Sequence, residues 1–256
     1  MRRLLLTLRY DGTAYHGWQV QPNAVTVQQT LQDAIEALTG VRSGVIGCSR
    51  TDAGVHANMF CCTFDTDSTI GVSRMPAALN SYLPQDMAVY GCREVAPDFH
   101  PRYQARGKRY VYYIYNADLR NPFTDKYAWR QSRTLDVPFL HTVAQQFVGT
   151  HDFAAFCSVG ADTEDTVRTV FTASVQREGD MVTFTVEADG FLYNMVRIMV
   201  GTLMDIAAGK LPADTVTAAL STGNRALAGA TAPPTGLFLK QVFYDEEVTA
   251  VGEIKT

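Results

Sequence analysis

The hydrophobic period of this chain switches again and again between strand and helix over residues 1–100, and no other feature limits its fold as tightly. Leu4 to Tyr10 reads as a strand. Thr26 opens a helix with Gln29 placed to complete a capping box. Val27, Leu31, Ala34, Ile35 and Leu38 then recur at helical spacing, and Gly40 follows as a C-terminal stop. Val45–Cys48 and Met59–Phe64 read as strands around a polar segment. Ser73 to Leu83 predicts a second helix that Pro84 ends, and Met87 to Val95 a further strand. The order β-α-β-β-α-β is that of a split, ferredoxin-like unit.

The second half repeats this order without visible sequence repetition. Arg109 to Tyr115 alternates as a strand, and Val137 to Val148 has a helical period. Val167–Arg177 and Met181–Ala188 predict a hairpin around Glu178-Gly179-Asp180. Leu192–Ala208 reads as a strongly apolar helix, Ala213–Leu220 as a short one and Leu237–Tyr244 as the last strand. The expected class is α+β: two ferredoxin-like, RRM-like halves, residues 1–100 and 101–248, with mainly antiparallel sheets. A length of 256 residues with 46% hydrophobic content suits two ordinary cores.

Several function classes are excluded at this stage. The N-terminal apolar run is short, broken by Arg9 and Asp11, and lacks a small-residue cleavage site, so it reads as a strand rather than a signal peptide. Phe191–Ala208 contains Asn194, Arg197 and Asp205, which argues against a membrane span. The five cysteines form no C-x-x-C pair and lie in apolar runs, as buried thiols in a reducing cytoplasm would. No G-x-G, P-loop or H-E-x-x-H occurs, so no cofactor is expected. His56, His100 and His151 are too scattered to predict a metal site. A net charge of −4 and a pI near 5.7 count against nucleic-acid binding. The charge is nevertheless segregated. Acids gather at Asp65–Asp67, Asp162–Asp165 and Asp245–Glu247, and bases between Arg102 and Arg109, so an acidic chain can still present one basic face.

The polar segment between the two central strands is Ser49-Arg50-Thr51-Asp52-Ala53-Gly54-Val55-His56-Ala57. A polar loop held between buried strands is where rigid scaffolds place reactive groups. Three further blocks carry chemistry. Gly107-Lys108-Arg109-Tyr110-Val111-Tyr112-Tyr113-Ile114-Tyr115 reads either as core tyrosines or as a base-stacking platform beside cations. Arg197, in an apolar helix, reads as a buried charge in need of a partner or as a snorkelling one. Ala232-Pro233-Pro234-Thr235-Gly236-Leu237 is a stiff loop before the last strand.

The nonamer resembles the R-T-D-A-G-V-H-A signature of tRNA pseudouridine synthases of the TruA family, with Cys48-Ser49 where Ala-Gly is frequent. The other blocks resemble that family's R-Y-x-Y, F-x-x-x-M-V-R and A-P-x-x-G-L motifs, and Gly149–Phe153 and Val167–Val170 also look family-like. The resemblance implies isomerisation of uridine to pseudouridine at positions 38 to 40 of the tRNA anticodon stem-loop, without a cofactor. It implies that Asp52 is the nucleophile, Arg197 its counter-ion, Tyr110 the residue stacking on the target uracil and Leu237 part of the base pocket. Arg50 is then placed to fill the space the flipped base leaves. It also implies a cytoplasmic homodimer and two halves meeting in one extended sheet at a central cleft. Two other readings stand beside this one. A noncatalytic RNA-binding module of paired RRM-like sheets has no need of Asp52. A phosphate-ester hydrolase with an aspartate nucleophile needs a carboxylate cluster for Mg²⁺, and the sequence shows none.

Overall fold

In the computed structural model, which describes residues 1–160 and 165–245, the N-terminal apolar run becomes β1 (Arg2–Tyr10). Leu4, Leu5, Leu6 and Leu8 are all buried, so this strand is covered on both faces. Thr26 caps α1 (Val27–Thr39) by accepting the Gln29 amide N–H at 3.3 Å, and Gly40 in the left-handed conformation closes it. The reciprocal half of the expected capping box is not made, because the Gln29 side chain donates to Asp33 Oδ1 at 2.8 Å instead. β2 is only Ile46–Gly47, and β3 (His56–Thr66) starts three residues ahead of the expected Met59. α2 (Met75–Asn80) is much shorter than the periodicity predicts, and β4 (Met87–Val95) matches its expected bounds. β1 lies between β3 and β4, antiparallel to both, with β2 beside β3. The apolar stripes of α1 (Val27, Leu31, Ala34, Ile35) and of α2 (Met75, Leu79) are buried, and α2 packs on β4.

The chain divides into two compact units. The first is Met1–Arg106 with the chain from Leu239 onward, the second Gly107–Phe238. The second unit opens with β5 (Gly107–Asn116), to which β6 (Trp129–Gln131) pairs in parallel. α3 (Val137–Ala144) is capped by Asp136 and ends in a 3-10 turn, and β7 (Gly149–Asp152) follows. β8 (Val167–Glu178) and β9 (Met181–Ala188) form the expected hairpin. α4 (Met195–Ala207) and α5 (Thr215–Thr222) complete the unit. Its strands hydrogen-bond in the antiparallel order β5-β9-β8-β7, and α3 packs on β8 and on α4. β10 (Leu237–Phe243) ends the series, next to β3 in the strand order.

The class is therefore mixed α+β, rich in mostly antiparallel sheet. All five cysteines are buried free thiols, and burial pushes those of Cys61, Cys62, Cys92 and Cys157 up. No helix among the described residues is long and apolar enough to cross a membrane. Asp162, Glu164, Glu246 and Glu247 of the acidic clusters lie outside the described residues.

The one-sided cap makes a discriminating prediction. Thr26→Ala is expected to lower stability by about 1 kcal/mol, within the range found for lost N-caps. Gln29→Ala is expected to change it by no more than about 0.5 kcal/mol, as for an ordinary exposed substitution. Urea denaturation of both variants checks this, and equal losses would mean that the box is formed in solution.

Candidate active site

The segment from Cys48 to Val55 has no ladder of its own, so other groups must satisfy its backbone. They come from residues 10–18, just after β1. The Trp18 N–H donates to the Thr51 carbonyl at 3.0 Å, and the Gly54 N–H donates to the Tyr15 carbonyl at 3.1 Å. Within the loop, the Val55 N–H donates to the Asp52 carbonyl at 3.1 Å, a tight turn with Gly54 at φ +77°. The Thr51 hydroxyl meets the Tyr10 hydroxyl at 2.8 Å in a buried contact. Thr51 is thus fixed from two sides, and the next residue, Asp52, is half-buried. Arg50, one residue before Thr51, is exposed.

Two glycines allow this approach. A Cβ on Gly12 would lie 2.0 Å from the Val55 carbonyl oxygen. A Cβ on Gly17, whose φ is +84°, would lie 2.5 Å from the Thr51 carbonyl oxygen. His56 serves the same junction. Its Nδ1 accepts the Gly12 N–H at 3.0 Å and lies 3.2 Å from Asp11 Oδ1, and the ring is buried. Tyr15 donates to Asp86 Oδ1 at 2.6 Å, and burial with that carboxylate holds its hydroxyl well above the ordinary tyrosine range. Trp18 stacks on Phe60 with ring centres 4.1 Å apart and covers Gly47. Residues 10–18 thus form a cradle that the sequence reading passed over. Its signal was available in the close run of Gly12, Gly17 and three aromatic residues.

In the second unit, Arg197 is half-buried on the first turn of α4. Its Nε donates to the Ala232 carbonyl at 2.8 Å and its Nη1 to Asn194 Oδ1 at 2.7 Å. The guanidinium is thus held by two neutral acceptors and is half-buried, between the buried and the snorkelling readings. Asn194 holds a left-handed φ of +60° and also donates to Ser158 Oγ at 2.9 Å. Asparagine tolerates that backbone region better than most residues. The Ala232 N–H returns to the Arg197 carbonyl at 3.0 Å, which fastens the 232–237 segment to the helix. The far end of that segment lies on β5, where the Tyr112 hydroxyl donates to the Pro233 carbonyl at 2.8 Å. Burial raises the Tyr112 hydroxyl, and the Arg197 charge opposes the shift, so these two side chains are electrostatic neighbours.

Tyr110 and Tyr112 share one face of β5 by alternation. Tyr110 is 6% exposed and meets Phe191 edge-on at 4.9 Å, and Leu237 is 5% exposed. Within the tract Tyr110 and Tyr112 are packed, and Tyr113 and Tyr115 are half-buried.

The basic run does not form one face. β5 begins at Gly107 and its alternation separates Lys108, 7% exposed, from Arg109. Arg109 Nε lies 2.5 Å from Glu187 Oε1. Arg106 is bidentate on Asp245, at 2.7 and 2.8 Å. Arg102 alone of the four lies exposed outside these ion pairs and next to an exposed ring, that of Tyr103. His56, His100 and His151 are not gathered, and the described residues hold no group of three or more metal-ligating side chains.

The sequence model of the tRNA pseudouridine synthase family matches residues 7–104 and 143–245. The chain is 44% identical over 244 residues to tRNA pseudouridine synthase A of Thermoanaerobacter sp. (strain X514), covering 95% of this chain and all of that one. It is 46% identical over the same length to the enzyme of that name from Acetivibrio thermocellus, with the same coverage. Among solved structures, a Cbf5-Nop10-Gar1 complex aligns with 96% of this chain and 60% of its own at 13% identity and a TM-score of 0.36, a likeness too weak to carry an argument.

The cradle predicts that Gly17→Ala is far worse than an ordinary surface change. Both the positive φ and the Thr51 carbonyl oppose a Cβ there, so a loss of about 1–3 kcal/mol is expected. Thermal and urea unfolding check the size of the loss. Hydrogen exchange at the Trp18 and Gly54 amides checks its place, and unchanged protection at both would show that the two segments do not depend on each other.

Proposed function

The chain belongs to the tRNA pseudouridine synthase family, a family of isomerases, and we propose that Asp52 is its nucleophile in converting uridine to pseudouridine in the tRNA anticodon stem-loop. One observation carries this reading: Asp52 follows a residue pinned by both backbone and side chain, inside a signature loop that two strands enclose. A nucleophile gains from such fixed placement, because misorientation is removed before the substrate arrives.

The reaction breaks the N1–C1′ glycosidic bond, turns the uracil and forms a C5–C1′ bond, so no atom enters or leaves except the exchanged C5 hydrogen. The counter-ion role that the family motif gives Arg197 belongs to the same proposal, since an opposite charge favours the carboxylate form of a nucleophile. The bonds from Arg197 to Ala232 and Asn194 support that role by fixing the guanidinium plane. Tyr110 and Leu237 are the base-holding side chains, and both are buried. A base that reaches them leaves its stack and most of its water, at a cost of a few kcal/mol. Arg50, exposed two residues before Asp52, compensates by occupying the vacated space.

The family motifs also support the finer statements: modification at positions 38 to 40, a homodimer and a cytoplasmic setting. The fold reading belongs here too. The element order β1-α1-β2-β3-α2-β4, with β1 between β3 and β4 and the two-residue β2 paired to β3, supports a ferredoxin-like first half, residues 1–100. The order β5-β6-α3-β7-β8-β9-α4-α5-β10 contains the same alternation with β6, β7 and α5 added, which supports a second such half, residues 101–248.

Release of tritium from tRNA labelled at uridine C5 tests the chemistry, because only bond formation at C5 frees that atom. Asp52→Asn is expected to lower kcat by a factor on the order of 10³ or more while tRNA still binds. More than a tenth of normal turnover in that variant would refute Asp52 as nucleophile. Arg197→Met tests the counter-ion, with the fold largely kept because methionine fills apolar helical surroundings flexibly. Turnover is expected to collapse in a folded variant. Full activity there would remove Arg197 from the mechanism.

A further inference from the structure

Beside the signature loop the first unit carries a cleft of about 240 Å³, of whose lining the proposed mechanism uses only Arg50. Trp18 and Gly47 form part of one side, Ser49 and Arg50 belong to the signature loop, and His100, Arg102 and Tyr103 complete it. Among its lining residues there are two arginines and no carboxylate, in a protein of net charge −4. That composition selects an anionic ligand by local potential.

The outer wall is unusual. Tyr103 is 76% exposed, yet its ring stacks on His100 with centres 4.2 Å apart and planes 28° from parallel. The Arg102 guanidinium lies 5.8 Å from the centre of the same ring. The turn that carries this stack is tied down. The Arg102 and Tyr103 N–H groups donate to His100 Nδ1 at 3.2 and 3.4 Å, and the Gln104 N–H donates to the His100 carbonyl at 3.1 Å. The His100 N–H donates to Gln104 Oε1 at 2.6 Å. With Nδ1 accepting, the imidazole is neutral, and burial beside the Arg102 and Arg3 charges lowers its pKa. An aromatic ring held open to water on a rigid, hydrogen-bonded turn is organised in advance for a flat partner.

We propose that this cleft is a second RNA subsite, in which an unstacked nucleobase lies on the Tyr103 ring and its phosphate meets Arg102. The subsite rests on the reading of the chain as a tRNA-modifying enzyme and adds a contact that reading does not contain. Stacking on an aromatic side chain accepts any base, because every base has a π-face. Arg102 adds charge without sequence preference. Tyr103 therefore acts as an anchor for RNA backbone and base at a distance from the target uridine, on the same unit as Asp52.

Binding of the full-length protein to unmodified tRNA, measured by fluorescence anisotropy over a range of salt, tests this. Tyr103→Ala is expected to weaken binding roughly tenfold to a hundredfold. Tyr103→Phe is expected to stay within about twofold, since the ring and not the hydroxyl makes the contact. Arg102→Gln is expected to reduce the slope of log K against log salt by about 0.7 to 0.9. At saturating tRNA, the single-turnover rate of Tyr103→Ala is expected to fall far less than its affinity. Because Tyr103 is exposed on a surface turn, the variant folds, and circular dichroism verifies it. Affinity within twofold in folded Tyr103→Ala, equal losses in the alanine and phenylalanine variants, or a changed oligomeric state with unchanged affinity would each overturn the subsite. Asp52→Asn in parallel separates the two claims. Intact binding without conversion there leaves the enzyme reading standing whatever Tyr103 does, and wild-type protein that neither binds nor converts tRNA overturns both.

Discussion

Two backbone hydrogen bonds hold the reactive loop: the Trp18 N–H on the Thr51 carbonyl and the Gly54 N–H on the Tyr15 carbonyl. Without them, the residues between β2 and β3 would present unpaired backbone groups at the edge of a buried core, which is costly. The bonds require the two segments to touch, and touching requires residues without a Cβ at positions 12 and 17. The loop's order is therefore imposed by a stretch some forty residues earlier in sequence. His56 belongs to the same device. Its ring accepts a backbone N–H from Gly12, which gives a buried histidine in the signature a structural role.

The second unit solves a related problem with side chains. An arginine inside an apolar helix must find acceptors, and an isolated buried charge would be several kcal/mol unfavourable. Arg197 finds one acceptor in the Ala232 carbonyl and another in Asn194, whose left-handed backbone starts the helix. The same contacts fix the loop that leads into β10, because the Ala232 N–H answers the Arg197 carbonyl. Holding the cation and holding the pocket loop are one set of bonds. A mutation at Asn194 would disturb both.

Much of this was legible from residue order, and the failures have physical causes. The N-cap at Thr26, the stop at Gly40, β4 and the β8–β9 hairpin follow from local chemistry, and local chemistry is what a sequence states directly. β6 and β7 are three and four residues long, too short for a period to register. α2 ends early despite apolar residues on both sides, so tertiary contacts set its length rather than propensity. Asp52 and Arg197 stood out because a carboxylate in a glycine-bearing loop and a charge in an apolar helix both break the local pattern. The cradle of residues 10–18 did not stand out, since nothing in it breaks a pattern until its distant partner is known. The basic run misled for a related reason. Alternation along β5 sends neighbouring cations to opposite faces, and a linear count of charge ignores that.

The acidic composition, which seemed to oppose an RNA substrate, loses its force once charges are placed. Arg3 pairs with Asp65, Arg42 with Asp33 and Glu36, Arg106 with Asp245, Arg109 with Glu187 and Lys210 with Asp205. Each pair is close to neutral beyond a Debye length of about 8 Å at physiological salt. The remaining excess of acid acts at long range and slows encounter with a polyanion more than it weakens the docked state. At the proposed subsite docking is decided within a few ångströms, where the cleft lining holds two arginines, an open ring and no carboxylate. An enzyme built this way gains little from electrostatic steering. Its affinity has to come from short-range contacts, and Tyr103, the most exposed tyrosine among the described residues and set on a hydrogen-bonded turn, is placed to make one.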